Sequence, residues 1–194
     1  MADVDLHGVF PPITTPFIDG KVAYDKLEAN VEKWSGTGIR GFVVLGSNGE
    51  FVSLSAAEKR KVVETVSRSS PGEMSIIAGT GCESTSETLR LTEDCAKAGA
   101  RAALVITPHF FGGKMSEEAL AGHYRAVADH SPIPVILYNV PKFTNLNLSA
   151  NLLSRVADHP NIIGIKDSAG NVSQLGEYLN RVGKDFNVLV GTAG

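Results

Sequence analysis

The sequence is poor in cysteine, in charge of one sign and in long apolar runs, and each shortage excludes a class of protein. Its 194 residues contain two cysteines, Cys82 and Cys95, which is too few for a disulfide framework. Free thiols suit a reducing compartment. The short acidic start, Met1 to Asp5, resembles neither a signal peptide nor an arginine-rich transit peptide. We therefore predict a cytoplasmic protein.

Charge and hydropathy point the same way. Eighteen lysines and arginines against 21 acidic residues give a net charge of −3, and no stretch collects one sign, so neither nucleic acid nor a membrane surface is an expected partner. No apolar run approaches the roughly 20 residues that span a bilayer. Clustered histidine and carboxylate ligands are also lacking, so no metal is expected. The histidines are His7, His109, His123, His130 and His159.

What is present is a repeat of apolar strands and amphipathic helices. Seven strands are predicted at intervals of about 30 residues, the length of a βαβ unit. Their apolar residues are nearly continuous, which indicates burial on both faces of a parallel sheet. Capping patterns mark helix starts between them. The strands are Gly8–Thr14, Ile39–Leu45, Ser75–Ala78, Ala102–Thr107, Ile133–Tyr138, Ile162–Lys166 and Asn187–Val190, and the caps are Ser55 with Glu58, Ser84 with Glu87, Ser116 and, more weakly, Asp25 with Glu28.

Two α/β architectures fit this order, a doubly wound open sheet and a (β/α)8 TIM barrel. After the first strand, residues 11–17 lack the glycine pattern that binds a dinucleotide. Polar residues instead end seven strands, as they do at the catalytic face of a barrel: Thr14, Ser47, Thr80, Thr107, Tyr138, Lys166 and Thr192. We predict one TIM-barrel domain over residues 1–194. It is incomplete, with about seven strands and six helices, since typical barrels have about 250 residues.

Lys166 carries the most chemical information. It directly follows an apolar strand, where a desolvated ammonium has a lowered pKa and its neutral form can attack a carbonyl to give a Schiff base. The alternative is a surface lysine paired with Asp167. Tyr138 ends the neighbouring strand and could move a proton there. Ser47 and Asn48 lie between Gly46 and Gly49, in a turn that could form either an anion-binding nest or a simple tight connection.

Three motifs together resemble the dihydrodipicolinate synthase / N-acetylneuraminate lyase family of class I, Schiff-base aldolases: Gly-Ser-Asn-Gly-Glu at 46–50, Leu-Tyr-Asn-Val-Pro at 137–141 and Gly-Ile-Lys-Asp at 164–167. The resemblance implies a (β/α)8 barrel with further C-terminal helices, assembled as a homotetramer. It implies that pyruvate or another 2-oxo acid binds covalently to Lys166, with Tyr138 as general acid/base and Ser47 in the proton relay.

The resemblance also assigns residues around the substrate. Ser47 and Asn48 would bind its carboxylate, and Gly191, with Thr192 beside it, would leave room for it. No cofactor is implied, because the protonated imine accepts the electrons of the breaking bond.

Two positions depart from the lysine-pathway synthases of this family. Phe143 stands where those enzymes carry an arginine that holds a substrate carboxylate, and Phe110 stands where they carry a relay tyrosine. A phenylalanine cannot relay a proton, so His109 or water would have to replace it. The loop sequences near Cys82, Gly112 and Ser131 are most similar to those of the 4-hydroxy-2-oxoglutarate aldolase branch, whose members release pyruvate and glyoxylate.

We therefore expect that aldolase activity. The alternatives are a 2-keto-3-deoxy sugar-acid aldolase, a 4-hydroxy-tetrahydrodipicolinate synthase, and a non-catalytic protein that binds a 2-oxo acid.

Overall fold

The computed structural model describes residues 4–192, which form a parallel sheet with helices packed on it. A short antiparallel hairpin, which the sequence analysis did not predict, precedes the sheet. It is formed by β1 (Phe17–Ile18) and β2 (Lys21–Val22). Six parallel strands then follow in the order in which they occur along the chain. They are β3 (Gly41–Val44), β4 (Ser75–Gly79), β5 (Ala102–Ile106), β6 (Val135–Asn139), β7 (Ile162–Asp167) and β8 (Asn187–Val190).

Helices connect consecutive strands, as a barrel built from βα units requires. They are α1 (Tyr24–Ser35), α2 (Ala56–Ser69), α3 (Thr85–Lys97), α4 (Glu117–His130), α5 (Pro141–Thr144), α6 (Ala150–Ser154) and α7 (Val172–Arg181). Helix α5 is a single turn, so the six predicted helices correspond to the other six. The α/β barrel fold is confirmed.

Most of the predicted helix starts are observed. Ser55 and Glu58 form a complete capping box at α2, and Ser84 and Ser116 cap α3 and α4 through their side chains. The predicted cap at Asp25 is wrong. Helix α1 begins at Tyr24, so Asp25 lies inside its first turn. A carboxylate there interacts favourably with the helix dipole, but no side-chain hydrogen bond caps the helix.

The first predicted strand, Gly8–Thr14, lies beside β3 but is not a continuous strand. It makes an isolated parallel bridge from Pro12 to Val43. Three backbone hydrogen bonds align it, joining Val9 to Arg40, Pro11 to Val43, and Ile13 to Val43. Proline has no N–H, so two consecutive prolines interrupt the donor pattern that a regular strand needs.

Side chains alternate between the two faces of the sheet. In β6, Ile136 and Tyr138 belong to the interior cluster with Leu104 and Ile77. Val135 and Leu137 pack outward against the helices. The period of two therefore sends the side chains of successive residues into the barrel and out toward the helices. Within residues 4–192, no helix is long and apolar enough to cross a membrane.

Candidate active site

Lys166 lies near the carboxyl end of β7, facing the barrel interior. It pairs in register with Tyr138 on β6, and its Nζ lies 4.5 Å from the centre of the Tyr138 ring. The lysine is 8% exposed and Tyr138 is 4% exposed. Within the described chain, no carboxylate forms an ion pair with Lys166, so the alternative of a surface lysine paired with Asp167 is wrong.

Burial changes the protonation of this lysine. Desolvation lowers the pKa of Lys166 from 10.5 to about 8, because a charge that leaves water without an anionic partner is disfavoured. At pH 7 the neutral fraction of the amine rises to about 10%, from about 0.03% for a free lysine. The site therefore supplies a nucleophilic amine near neutral pH.

The Tyr138 hydroxyl lies 3.3 Å from Ser47 Oγ, at hydrogen-bond distance. Ser47 begins a short 3-10 turn, Ser47–Gly49, directly after β3. The fold thus brings together the three predicted catalytic residues, Lys166, Tyr138 and Ser47, from three strand ends. A chain of two hydroxyls next to an amine can move protons between bulk water and a bound carbonyl.

The backbone conformation of the turn that carries Ser47 differs from the sequence prediction, in which its two glycines supply the unusual angles. Its left-handed residues are Leu45 and Glu50, with φ of 60° and 53°, whereas Gly46 is extended. Gly49 and Glu50 use their N–H groups inside the turn, but those of Ser47 and Asn48 have no backbone partner in the part of the chain that is described. Asn48 is exposed. Two free N–H groups beside a hydroxyl are suited to a carboxylate.

Gly191, predicted to leave room for a substrate, lies beside Lys166. A Cβ at this glycine would lie 3.0 Å from Lys166 Cε and 2.1 Å from Ser168 Oγ. Its N–H donates to the Asp167 carbonyl over 2.6 Å, which fixes the end of β8 against β7. Thr192 is exposed, and no hydrogen bond joins it to Lys166 or Tyr138.

The two phenylalanines that depart from the synthase pattern are exposed. Phe143 is 55% exposed on α5, with Lys142 over its ring, and it does not line the interior cavity. Phe110 is 76% exposed and packs edge to face on Phe111. His109 has other partners, since its Nδ1 contacts Glu83 and the Thr107 carbonyl.

A cavity of about 300 Å³ occupies the barrel interior next to Lys166. Its lining is mostly apolar, which does not suit a carboxylate. The polar groups of the site lie instead at the Ser47 turn, outside this lining. The cavity is lined by residues of the segment Gly8–Pro12, by Leu189 and Val190 of β8, and by Val43, Ile77, Leu104, Ile136 and Lys166.

Sequence reasoning missed a buried polar cluster on the outer face of the same two strands. It joins Asn139 and Asp167 to Gln174 and Tyr178 of α7. The signal was available: each of the first two residues directly follows a predicted catalytic residue, so alternation sends its side chain outward. Within residues 4–192, no group of three possible ligands could hold a metal.

Comparison with known proteins places the chain in a family. The model of the "dihydrodipicolinate synthetase family" matches residues 5–194. The 4-hydroxy-tetrahydrodipicolinate synthase of Methanothrix thermoacetophila is 44% identical over 187 residues, which cover 95% of this chain and 62% of that protein. The synthase of Phenylobacterium zucineum is 35% identical over 191 residues, which cover 98% of this chain and 64% of that protein. These relatives carry the synthase name and not that of the 4-hydroxy-2-oxoglutarate aldolase branch.

Solved structures agree. The dihydrodipicolinate synthase of Acinetobacter baumannii, complexed with pyruvate, superposes with a TM-score of 0.91 at 36% identity, over 96% of this chain and 64% of that one. The dihydrodipicolinate synthase of Bacillus anthracis superposes with a TM-score of 0.92 at 30% identity, over 97% of this chain and 64% of that one. The chain thus spans a little under two thirds of the length of these proteins. It belongs to the dihydrodipicolinate synthetase family.

Proposed function

We propose that this chain carries the pyruvate-binding, Schiff-base-forming centre of a carbon–carbon lyase or synthase. The observation that carries the proposal is Lys166, a buried lysine with no anionic partner among residues 4–192, whose Nζ lies 4.5 Å from the centre of the Tyr138 ring. The Acinetobacter relative that binds pyruvate supports the choice of ligand. The other proposed contacts are Ser47 and Asn48 on the carboxylate, with Gly191 leaving room beside the lysine.

The chemistry follows from these groups. Neutral Lys166 attacks C2 of pyruvate, Tyr138 protonates the carbonyl oxygen, and the tyrosinate takes the extra proton from the lysine nitrogen, which gives a neutral carbinolamine and restores Tyr138. A proton from Tyr138 lets the hydroxyl leave as water, and the protonated imine that remains withdraws electrons from C3. The Tyr138 tyrosinate takes a C3 proton to give an enamine, and Ser47 passes protons between Tyr138 and solvent. In the synthetic direction, C3 of the enamine bonds to the carbonyl carbon of an aldehyde, whose oxygen takes up a proton.

We propose the synthase reaction, formation of 4-hydroxy-tetrahydrodipicolinate, as the first candidate for the complete protein. The names of the relatives at 35–44% identity support it. It replaces the 4-hydroxy-2-oxoglutarate cleavage that the loop sequences favoured.

The cleavage reaction is the second candidate, because Phe143 presents an exposed ring and not the arginine expected of a synthase. In that direction the imine draws electrons from the C3–C4 bond, and the C4 hydroxyl gives its proton to Tyr138. Supplying each substrate in turn, with a sugar-acid substrate as a third, separates these activities by their products. The homotetramer implied by the family resemblance and the cytoplasmic location stay predictions.

Borohydride trapping tests the proposed centre directly. Incubation with pyruvate and borohydride should add one reduced pyruvate imine, found by intact mass and located on Lys166 by peptide mapping. Lys166→Ala should give no adduct, and Lys184→Ala, which removes an exposed lysine, should label like the parent. Absence of an adduct on the folded parent protein, or labelling at another lysine, would refute the proposal and favour a non-catalytic binding protein.

The Tyr138 hydroxyl should matter more for rate than for folding. Tyr138→Phe is expected to slow adduct formation by roughly 10²- to 10⁴-fold, the usual range for loss of a general acid or base. The melting temperature should hardly change, because the hydroxyl makes one long hydrogen bond, to Ser47. Tyr24→Phe on α1 is the matched control. Equal trapping rates in the two variants would remove Tyr138 from the mechanism.

A further inference from the structure

The ends of β6 and β7 carry two pairs of residues in register, one on each face of the sheet. Tyr138 pairs with Lys166, and the next residues, Asn139 and Asp167, pair with each other. Alternation turns the first pair inward and the second outward. Asn139 Nδ2 donates to Asp167 Oδ2 over 2.7 Å. A side-chain hydrogen bond therefore joins the two strands directly behind the candidate catalytic pair.

This outer pair is fully buried, at 0% and 2% exposure. Within the described chain no cation pairs with the Asp167 carboxylate, which is satisfied by neutral donors. Its Oδ2 also accepts from Gln174 Nε2 at 3.2 Å and from the Tyr178 hydroxyl at 3.3 Å, while Oδ1 accepts the Ala169 N–H at 2.9 Å. A buried carboxylate with this many fixed donors has one favourable position.

The backbone around the pair is equally constrained. Asn139 Oδ1 accepts the Leu148 N–H at 3.0 Å, and the Asn139 carbonyl accepts the Ser168 N–H at 2.8 Å. The Asp167 carbonyl accepts the Gly191 N–H. The ends of β6, β7 and β8 are therefore held together at these two residues, and the side chains that face the cavity take their positions from this arrangement.

We propose that Asn139 and Asp167 are positioning residues that set the separation of Tyr138 and Lys166. The inference rests on the proposed function of that pair. Removing the carboxylate breaks the side-chain bond between the two strands and leaves Asn139 Nδ2 and Gln174 Nε2 to share one acceptor, Asn147 Oδ1. The weakened strand ends can then move apart. A misplacement of about 1 Å is enough to slow a reaction by about 10²-fold.

Three variants test the proposal. Asp167→Ala removes the bond, and the double variant Asn139→Asp with Asp167→Asn restores it in the opposite direction. In that variant the new amide at 167 donates to the new carboxylate at 139, which still accepts the Leu148 N–H. Asn161→Ala is the matched control. Asn161 is also a buried amide, it lies next to the start of β7, and its Nδ2 bonds to the Ala128, Ser131 and Ile133 carbonyls, far from the site along the strand.

The trapping rate with saturating pyruvate is measured at a temperature at which circular dichroism shows every variant folded. We expect Asp167→Ala to be slower than the parent by roughly 10-fold to 10²-fold. The exchanged pair should recover most of that loss, and Asn161→Ala should lose stability but keep the parent rate. Equal rates for Asp167→Ala and Asn161→Ala, or no recovery in the exchanged pair, would overturn the proposal.

A second readout does not depend on trapping. Nuclear Overhauser contacts between the Lys166 ε-methylene and the Tyr138 ring should be present in the parent, weaker in Asp167→Ala and restored in the exchanged pair. Unchanged contacts in Asp167→Ala would refute the positioning role even if the parent never formed an adduct. A parent that shows the expected contacts but no adduct refutes the proposed function alone.

Discussion

Replacing Lys166 with methionine is expected to stabilise the fold while abolishing adduct formation. Methionine has a similar length and needs no hydration, and the site around Lys166 is buried. The lowered lysine pKa of about 8 corresponds to roughly 3 kcal/mol of unfolding free energy lost at pH 7. The variant should recover most of this, and its melting temperature should rise by several degrees. Calorimetry and trapping on the same samples measure both effects.

The stabilisation by Lys166→Met should decrease as the pH rises. Because the folded-state pKa of Lys166 lies below its unfolded value, the unfolded chain binds more protons between about pH 8 and pH 10.5. The loss of unfolding free energy caused by burying Lys166 is therefore full below pH 8 and decreases as the pH rises toward 10.5. The difference between Lys166→Met and the parent should fall from about 3 kcal/mol at pH 7 to about 1.5 kcal/mol at pH 9.5.

Lys184→Met serves as control, since this exposed lysine should contribute no such pH-dependent difference. A Lys166→Met protein that is less stable than the parent, or a difference that does not change with pH, would mean that Lys166 is not desolvated in solution.

Gly41→Ala should be among the most damaging single substitutions in the sheet. A Cβ at Gly41 would lie 1.9 Å from the backbone oxygen of Ser75, the residue with which it pairs on β4. A clash with backbone cannot be relieved by a rotamer change, so β3 and β4 must separate. We expect a loss of about 3 kcal/mol in unfolding free energy, and a drop of roughly 6–12 °C in melting temperature.

The matched control is Gly176→Ala, a glycine inside α7 with nothing within 4 Å of the added methyl. Alanine favours a helix over glycine, so this change should be neutral or stabilise by up to about 1 kcal/mol. Urea unfolding of both variants measures the contrast. Similar midpoints for the two would show that the close approach of Gly41 to β4 is absent in solution.

Much of the barrel could be predicted because its signals are local. Near-continuous apolar runs located six of the strands, and the Ser55–Glu58 pattern located a helix start that the structure confirms. Lys166 and Tyr138 could be paired in advance because the ends of neighbouring parallel strands meet at one face.

The rest depended on tertiary geometry. Nothing local to Leu45 or Glu50 indicates a left-handed backbone, which most side chains avoid. Two partners of Asp167, Gln174 and Tyr178, are in reach only after α7 has folded back over the sheet. Pro11 and Pro12 were visible in the sequence, but the apolar residues around them outweighed their missing donors in the prediction of a strand.

Those two prolines also limit how a further strand could pair beside this segment. Unpaired strand edges are templates for aggregation, because a second chain can add to their free N–H and C=O groups. Along positions 11 and 12 the segment beside β3 offers no N–H group to a second chain. Proline at an edge is a common protection against such addition. A further strand that added along these two positions would therefore find no regular hydrogen-bond ladder there.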